Sequence, residues 1–504
     1  MSVRKTVFIK NAAIMTACSV ILRLLGIVFK VWVASLVGSE GMGLYSLVLS
    51  VYFLFSAFAA SGICTAATRL CANNLSLGKD YRPVMKKCFF LTLAVSFASS
   101  LSMIAFSRPL SRLAVGDTSV FLCFCVLAFC LPAVGTASLI RGFFFAVRKA
   151  SDPALSQIAE QMIRIILSYI LVKKFIRYGA AAACLALVIG DTVSELICPL
   201  ILYFQYKKTA KRLPMNLKSC TCTYKSIHNI ALPLSAGRYL GLFLRTGENL
   251  LVPRALSKSG VGMKGGLSLF GSIKAMALPI LLFPSGILSS VSTLLIPEIS
   301  SSLVQKRYLV VKGITERIVK FTVLLSVIFS CIFAGIGREL GSVLYKNGEV
   351  GTLIMLLSPI VPLMYLDSVA DGILKGLDCQ KFSFFTGVAD SFIRVVLIIF
   401  LLPRYGMIAF IGIMYFSNFF TAVLNTAMLF KKSKMQTDPI KTVFMPLCTA
   451  LVITKATTVL LRSVAAYSTV LYILAVAAAS LFFYAACLLL FGCVTPEEVK
   501  ELYS

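Results

Sequence analysis

Four basic residues stand inside apolar runs at matched places. Arg23-Leu24-Leu25-Gly26-Ile27-Val28-Phe29-Lys30 and Arg238-Tyr239-Leu240-Gly241-Leu242-Phe243-Leu244-Arg245 both read R-x-L-G-x-x-x-[K/R]. A charge at the middle of a bilayer costs about 2.5–3.5 kcal/mol on insertion scales, so four of them need a reason. On a helix this spacing is about two turns, which puts both basic residues of a pair on one face. The glycine falls close to that face and leaves room for a backbone or ligand to approach. A guanidinium fork grips two oxygens of a phosphate and an ammonium adds a point charge. Arg23, Lys30, Arg238 and Arg245 are therefore candidate substrate-binding residues for an anion, on two helices expected to line one shared cavity.

The acids inside apolar runs fall into three groups. Glu248 follows Arg245 by three residues and is a candidate partner for it. Glu160/Arg164 and Asp390/Arg394 are acid-then-arginine at i,i+4, the favourable order on a helix, and read as structural pairs. Asp191/Glu195 and Asp367/Asp371 are acidic pairs at i,i+4. Like charges on one face repel, so each pair must take up a cation, hold a proton, or meet a basic residue from another helix, Lys274 being one candidate. Coupling to Na+ or H+ is thus open at these acids, and no cofactor is expected.

The elements that must position these residues are membrane spans. Of 504 residues, 59% are hydrophobic and 14% charged, and the mean hydropathy is +0.91. Average soluble domains are about 25% charged, so the class is polytopic membrane protein. The net charge of +29 comes from 49 Lys/Arg against 20 Asp/Glu. The basic residues cluster in short runs between spans, which the positive-inside rule explains without nucleic acid. They place the N- and C-termini in the cytoplasm, with Lys207 to Lys225 as a basic cytoplasmic loop. Sixteen cysteines are scattered and His228 is the single histidine, so no metal site is expected. There is no G-x-x-x-x-G-K-[ST], H-E-x-x-H or G-x-S-x-G, so no nucleotide hydrolysis and no catalytic residues are expected.

Fourteen apolar segments have spanning length, roughly 11–37, 43–70, 85–107, 119–145, 153–172, 179–206, 226–252, 266–296, 313–336, 350–375, 382–402, 407–430, 440–461 and 467–493. Several positions recur in order. Pro132, Gly142, Ala159, Glu160, Ile163 and Arg164 match Pro362, Gly372, Ala389, Asp390, Ile393 and Arg394. A six-span unit returns the chain to the same side, so the halves form a parallel repeat. The expected fold is all-α: a six-helix lobe over 1–225, a second over 226–435, a cavity between them, and two added transmembrane helices with a tail over 436–504. Such lobes suit alternating access.

Beyond these features, Arg23-Leu24-Leu25-Gly26 followed by Leu36-Val37-Gly38-Ser39-Glu40-Gly41-Met42-Gly43-Leu44-Tyr45 resembles the start of bacterial SpoVB-type polysaccharide biosynthesis proteins. So does Glu248-Asn249-Leu250-Leu251-Val252-Pro253-Arg254. These group with the MurJ and Wzx flippases in the MOP superfamily, beside the MATE drug exporters. The resemblance covers essentially the whole chain. It implies a flippase of the bacterial cell membrane that moves undecaprenyl-pyrophosphate-linked sugars to the outer leaflet; the expected partners are that lipid-linked sugar and membrane lipid, with the chain a monomer. Lipid II and spore-cortex precursors belong to that class. It implies that first-span basic residues line the cavity, where Arg23 and Lys30 fall, and that the last two helices form a groove for the lipid tail. Some relatives carry a sodium site with an Asn-x-x-x-Asp-like pattern in span eleven. This chain has Asp390-x-x-x-Arg394 there, a departure that counts against sodium. The rival reading is a MATE-like cation-coupled drug antiporter, which calls for carboxylates and aromatics where this chain has four basic residues. A membrane glycosyl-transfer enzyme would need a catalytic carboxylate in an outer loop, where only Asp117, Glu339 and Glu349 are available.

Overall fold

The computed structural model describes residues 2–116, 118–147, 149, 151–211, 224–286, 288, 299, 300 and 302–494. Asp117, residues 212–223, much of the eighth apolar segment and residues 495–504 lie outside the described residues. Every regular element that is described is helical, and the chain is an all-α, multi-spanning membrane protein. Ten helices among the described residues are long and apolar enough to cross a bilayer.

Two of the ten are double length. α1 (Ser2–Ser76) runs 75 residues and is broken only at Gly38, whose φ of 69° and ψ of −175° are outside the helical region. This joint separates the first two apolar segments read from the sequence. Further along, Gly406 does the same between the eleventh and twelfth, with φ 55° and ψ −129°. Glycine adopts these angles without a Cβ penalty, so the hydrogen-bonded ladder resumes directly after the bend.

The chain divides into two compact units. The first holds Met1–Gly271 with Ile398–Arg404; the second holds Ser272–Leu397 with Tyr405–Ser504. In the first unit, α1 is followed by α2 (Arg82–Ala105), the short α3 (Ser107–Val115), α4 (Phe121–Ala146), α5 (Ser151–Phe175), α6 (Ala180–Ala210), α7 (Tyr224–Leu256) and α8 (Gly262–Phe270). α1 packs on α2, α4 and α7, and α6 packs on both α4 and α5. Tyr81, Cys88, Phe143, Phe144 and Leu202 form a buried core cluster there. α1 and α8 approach backbone to backbone: a Cβ on Gly43 would stand 2.1 Å from the Leu267 carbonyl oxygen, and one on Gly271 would stand 2.0 Å from that of Ser39. Close glycine contacts of this kind are how helices associate where lipid removes the hydrophobic drive.

In the second unit, α9 (Tyr308–Tyr345) is the hub. α10 (Gly348–Leu357) and α11 (Val361–Gly376) pack on it, as do the late helices α13 (Met445–Leu460) and α14 (Thr469–Leu490). α12 (Gln380–Ser433) carries the Gly406 bend. Tyr484 donates to the Leu324 carbonyl at 3.1 Å, and Thr457 and Ser480 share a buried hydrogen bond of 2.7 Å. These polar ties fix α13 and α14 to α9 and to each other, in surroundings where an unsatisfied hydroxyl is costly.

Candidate functional site

The four basic residues of the repeated motif all belong to the first unit, on α1 and α7, and all four side chains are exposed. The packing of their helices accounts for this. The first arm of α1 leans on α5, where Trp32 meets Tyr169 with ring centroids 5.2 Å apart and Cys18 donates to the Ala154 carbonyl at 3.4 Å. Phe29 and Val33 are buried, while Arg23 and Lys30 project from the remaining surface. α7 lies along the second arm of α1. Thr246 donates to the Ser50 carbonyl at 3.1 Å, the Asn249 amide donates to the Ser50 hydroxyl at 3.0 Å, and Tyr239 meets Phe58 at 4.3 Å. At Gly62 the two helices come so near that a Cβ would stand 2.5 Å from the Ala231 carbonyl oxygen. Glu248 sits on the buried side of α7, and Arg238 and Arg245 are exposed.

The two motif glycines behave unlike Gly43, Gly62 and Gly271. A Cβ on Gly26 or Gly241 would meet nothing within 4 Å. They are not sites of tight helix packing; each leaves open space within a turn of an exposed cation. An anionic group can approach the backbone there, and the arginines can offer paired donors.

A second assembly lies within the first unit. Arg164 on α5 reaches three carboxylates: its Nε is 3.1 Å from Asp191 Oδ1, and its terminal nitrogen is 3.1 Å from Glu160 Oε1 and 3.6 Å from Glu195 Oε1. Arg141 on α4 holds the other oxygen of Glu160 at 2.9 Å. Tyr45 donates to Asp191 Oδ2 at 2.6 Å, and Tyr52 donates to Glu195, which also accepts from the Cys130 thiol at 3.0 Å. The acidic pair on α6 thus meets a basic residue from another helix, and that residue is Arg164. The pair Glu160/Arg164 is extended into a knot joining α1, α4, α5 and α6. Arginine suits this position because its planar fork serves several oxygens at once.

The second unit holds the counterpart pair. Arg394 Nε lies 3.2 Å from Asp390 Oδ2, and Ser417 donates to the other oxygen at 2.6 Å. Lys375 pairs with Asp371 at 2.5 Å, and Ser383 donates to the same carboxylate. Asp367, one turn before Asp371, accepts from the Asn425 amide at 2.8 Å. Lys274 is half-buried in this unit.

Several participants escape a reading of the sequence. Tyr45, Tyr52 and Cys130 contact acids 65 to 146 residues away and Arg141 contacts one 19 residues away on the next helix, and no local pattern announces such partners. One signal was present: Tyr45 and Tyr52 are two turns apart and so share a helix face, as Asp191 and Glu195 do at one turn. Asn425 carried no signal at all.

A double-length helix with a glycine joint, helices packed through small residues, and cations exposed on two spans describe an all-α, multi-spanning membrane fold. The solved structures agree. An inward-facing multidrug resistance MATE family transporter of the MOP superfamily matches with a TM-score of 0.66, 12% identity, and coverage of 83% of this chain and 100% of that one. Lipid II flippase MurJ, in an inward closed conformation, matches with a TM-score of 0.65, 15% identity, and coverage of 93% and 97%. The model of the polysaccharide biosynthesis protein family matches residues 8–303, and the chain belongs to that family. Among curated proteins, Stage V sporulation protein B of Bacillus subtilis (strain 168) is 26% identical over 414 residues, 79% of each chain.

Proposed function

We propose that the protein is a flippase for undecaprenyl-pyrophosphate-linked sugars, lipid II or a related cell-wall or spore-cortex precursor, in the bacterial cytoplasmic membrane. Its termini face the cytoplasm. The observation that carries this reading is the set of four exposed cations on α1 and α7, each pair flanking a glycine with open space beside it. A pyrophosphate is a doubly charged group with many acceptor oxygens, and it cannot enter hydrocarbon unaided. Arg23, Lys30, Arg238 and Arg245 capture it, the sugars follow into water, and the lipid tail stays in the bilayer. An alternating-access change then exposes the head group to the other side. The chain works as a monomer and performs no chemistry on its cargo.

The likeness to MATE and MurJ folds is equal within 0.01 of TM-score, so the fold does not choose between them. The charge does. Organic cations would be repelled by four exposed basic residues and pyrophosphates would be held. The family description, polysaccharide biosynthesis protein, supports a sugar-linked cargo.

The test uses full-length protein in liposomes with a fluorescent undecaprenyl-pyrophosphoryl sugar and no nucleotide. Movement between leaflets is expected for the wild type. Arg23→Ala and Arg245→Ala should each slow it at least tenfold, equivalent to losing about 1.4 kcal/mol of charge-assisted binding, while inserting normally. Unchanged flipping in both variants, or flipping only with added ATP, overturns the reading.

A further inference from the structure

The two acidic i,i+4 pairs differ in how their charge is met. Asp191 and Glu195 both reach Arg164, and Asp371 is paired with Lys375. Asp367 has no ion-pair partner among the described residues. Its neighbours are neutral: the Asn425 amide at 2.8 Å and the Thr421 hydroxyl, both from the second arm of α12. The charged groups that face it are Asp371 on its own helix and Asp390 on the first arm of α12. Each of those already has its own cation, Lys375 and Arg394.

The residue holding Asp367 has an unused function. Asn425 is 5% exposed, and its Oδ1 is buried and accepts no hydrogen bond among the described residues. An amide presents a donor on one arm and an acceptor on the other, and the two arms exchange by a half-turn of the group. With Asp367 ionised, Nδ2 donates to the carboxylate. With Asp367 protonated, Oδ1 can accept a hydrogen bond from the carboxylic O–H. An aspartate held by a reversible partner rather than by a fixed cation can change charge without leaving a broken ion pair behind.

Building on the flippase reading, we propose that Asp367, with Asn425 and Thr421, is the proton-binding site that couples this transporter to the proton gradient. The carboxylate gains a proton on one side of the membrane and releases it on the other; no other bond changes. A proton fits better than a metal cation. One carboxylate, one amide oxygen and one hydroxyl make a thin shell for Na+, and the neighbouring carboxylates Asp371 and Asp390 are already taken by Lys375 and Arg394. Asp191 and Glu195 do not share this role, because Arg164 fixes their charge.

Infrared difference spectroscopy of the purified full-length protein tests the site independently of transport. Alkalinisation of the wild type should convert a carboxylic-acid carbonyl band into carboxylate, equally in sodium and choline buffers. Asp367→Asn should lack the band, Asp371→Asn should keep it, and Asn425→Ala should keep it at a shifted frequency, so that a misfolded Asp367→Asn does not decide the matter. The same band in folded Asp367→Asn, or a response to sodium alone, overturns the proposal. In liposomes with the fluorescent lipid-linked sugar, an imposed pH gradient should accelerate wild-type flipping several-fold and leave Asp367→Asn at its ungradiented rate. Wild-type flipping that ignores the gradient also overturns the proposal. Intact spectra with no flipping under any condition would overturn the flippase reading while leaving the proton site in place.

Discussion

Arg164 is the residue on which most of the first unit's buried charge depends. Three carboxylates converge on it, and each accepts a further donor: Arg141 for Glu160, Tyr45 for Asp191, Tyr52 for Glu195. Removing one partner from a buried ion pair costs about 3–5 kcal/mol, because the other charge is stranded. Arg164→Ala is therefore expected to lower the thermal unfolding temperature in detergent markedly. Arg164→Lys should recover only part of the loss, since an ammonium cannot serve three carboxylates in the same plane. Tyr45→Phe removes one hydrogen bond to a charged group and should cost about 1.5–3 kcal/mol. If Arg164→Ala unfolds like the wild type, the knot does not hold the unit together. The motif cations have the opposite profile: exposed and without tight packing, they should matter for cargo and little for stability.

At the level of helices, glycine does two distinct jobs. Gly43, Gly62 and Gly271 hold backbones in contact, so Gly62→Val forces α1 and α7 apart. Overpacking of this kind costs about 1–3 kcal/mol, visible as a lowered melting temperature. Gly26 and Gly241 have room for a methyl group. Alanine at either site gains helix propensity of about 1 kcal/mol, so stability should hold or rise slightly while flipping falls, as the open space beside the cations fills. Helical spans were legible in the sequence because apolar length marks them, whereas the joints at Gly38 and Gly406 emerged only from the backbone; the internal pairs Glu160/Arg164 and Asp390/Arg394 were legible because i,i+4 contact is local. Arg141, Tyr45, Tyr52 and Asn425 were not, since their partners lie on other helices and register between helices is written in packing, not in periodicity. The lone function of Asp367 was hidden for the same reason: only the arrangement around it separates it from Asp371.

For the molecule as a whole, the chain is an all-α, multi-spanning member of the polysaccharide biosynthesis protein family, and the charge on α1 and α7 carries the proposed function. α1 also bears two unlike surfaces on one continuous chain. Before Gly38 it displays Arg23 and Lys30; after Gly38 it is anchored through Tyr45 and Tyr52 to the acids of α6. A side chain at Gly38 would meet no neighbour, but its φ of +69° belongs to glycine, so Gly38→Ala is strained by about 1–2 kcal/mol through the backbone alone. Since nothing packs around residue 38, the angle at which one arm leaves the other is written into the backbone of a single glycine and not into the side chains beside it.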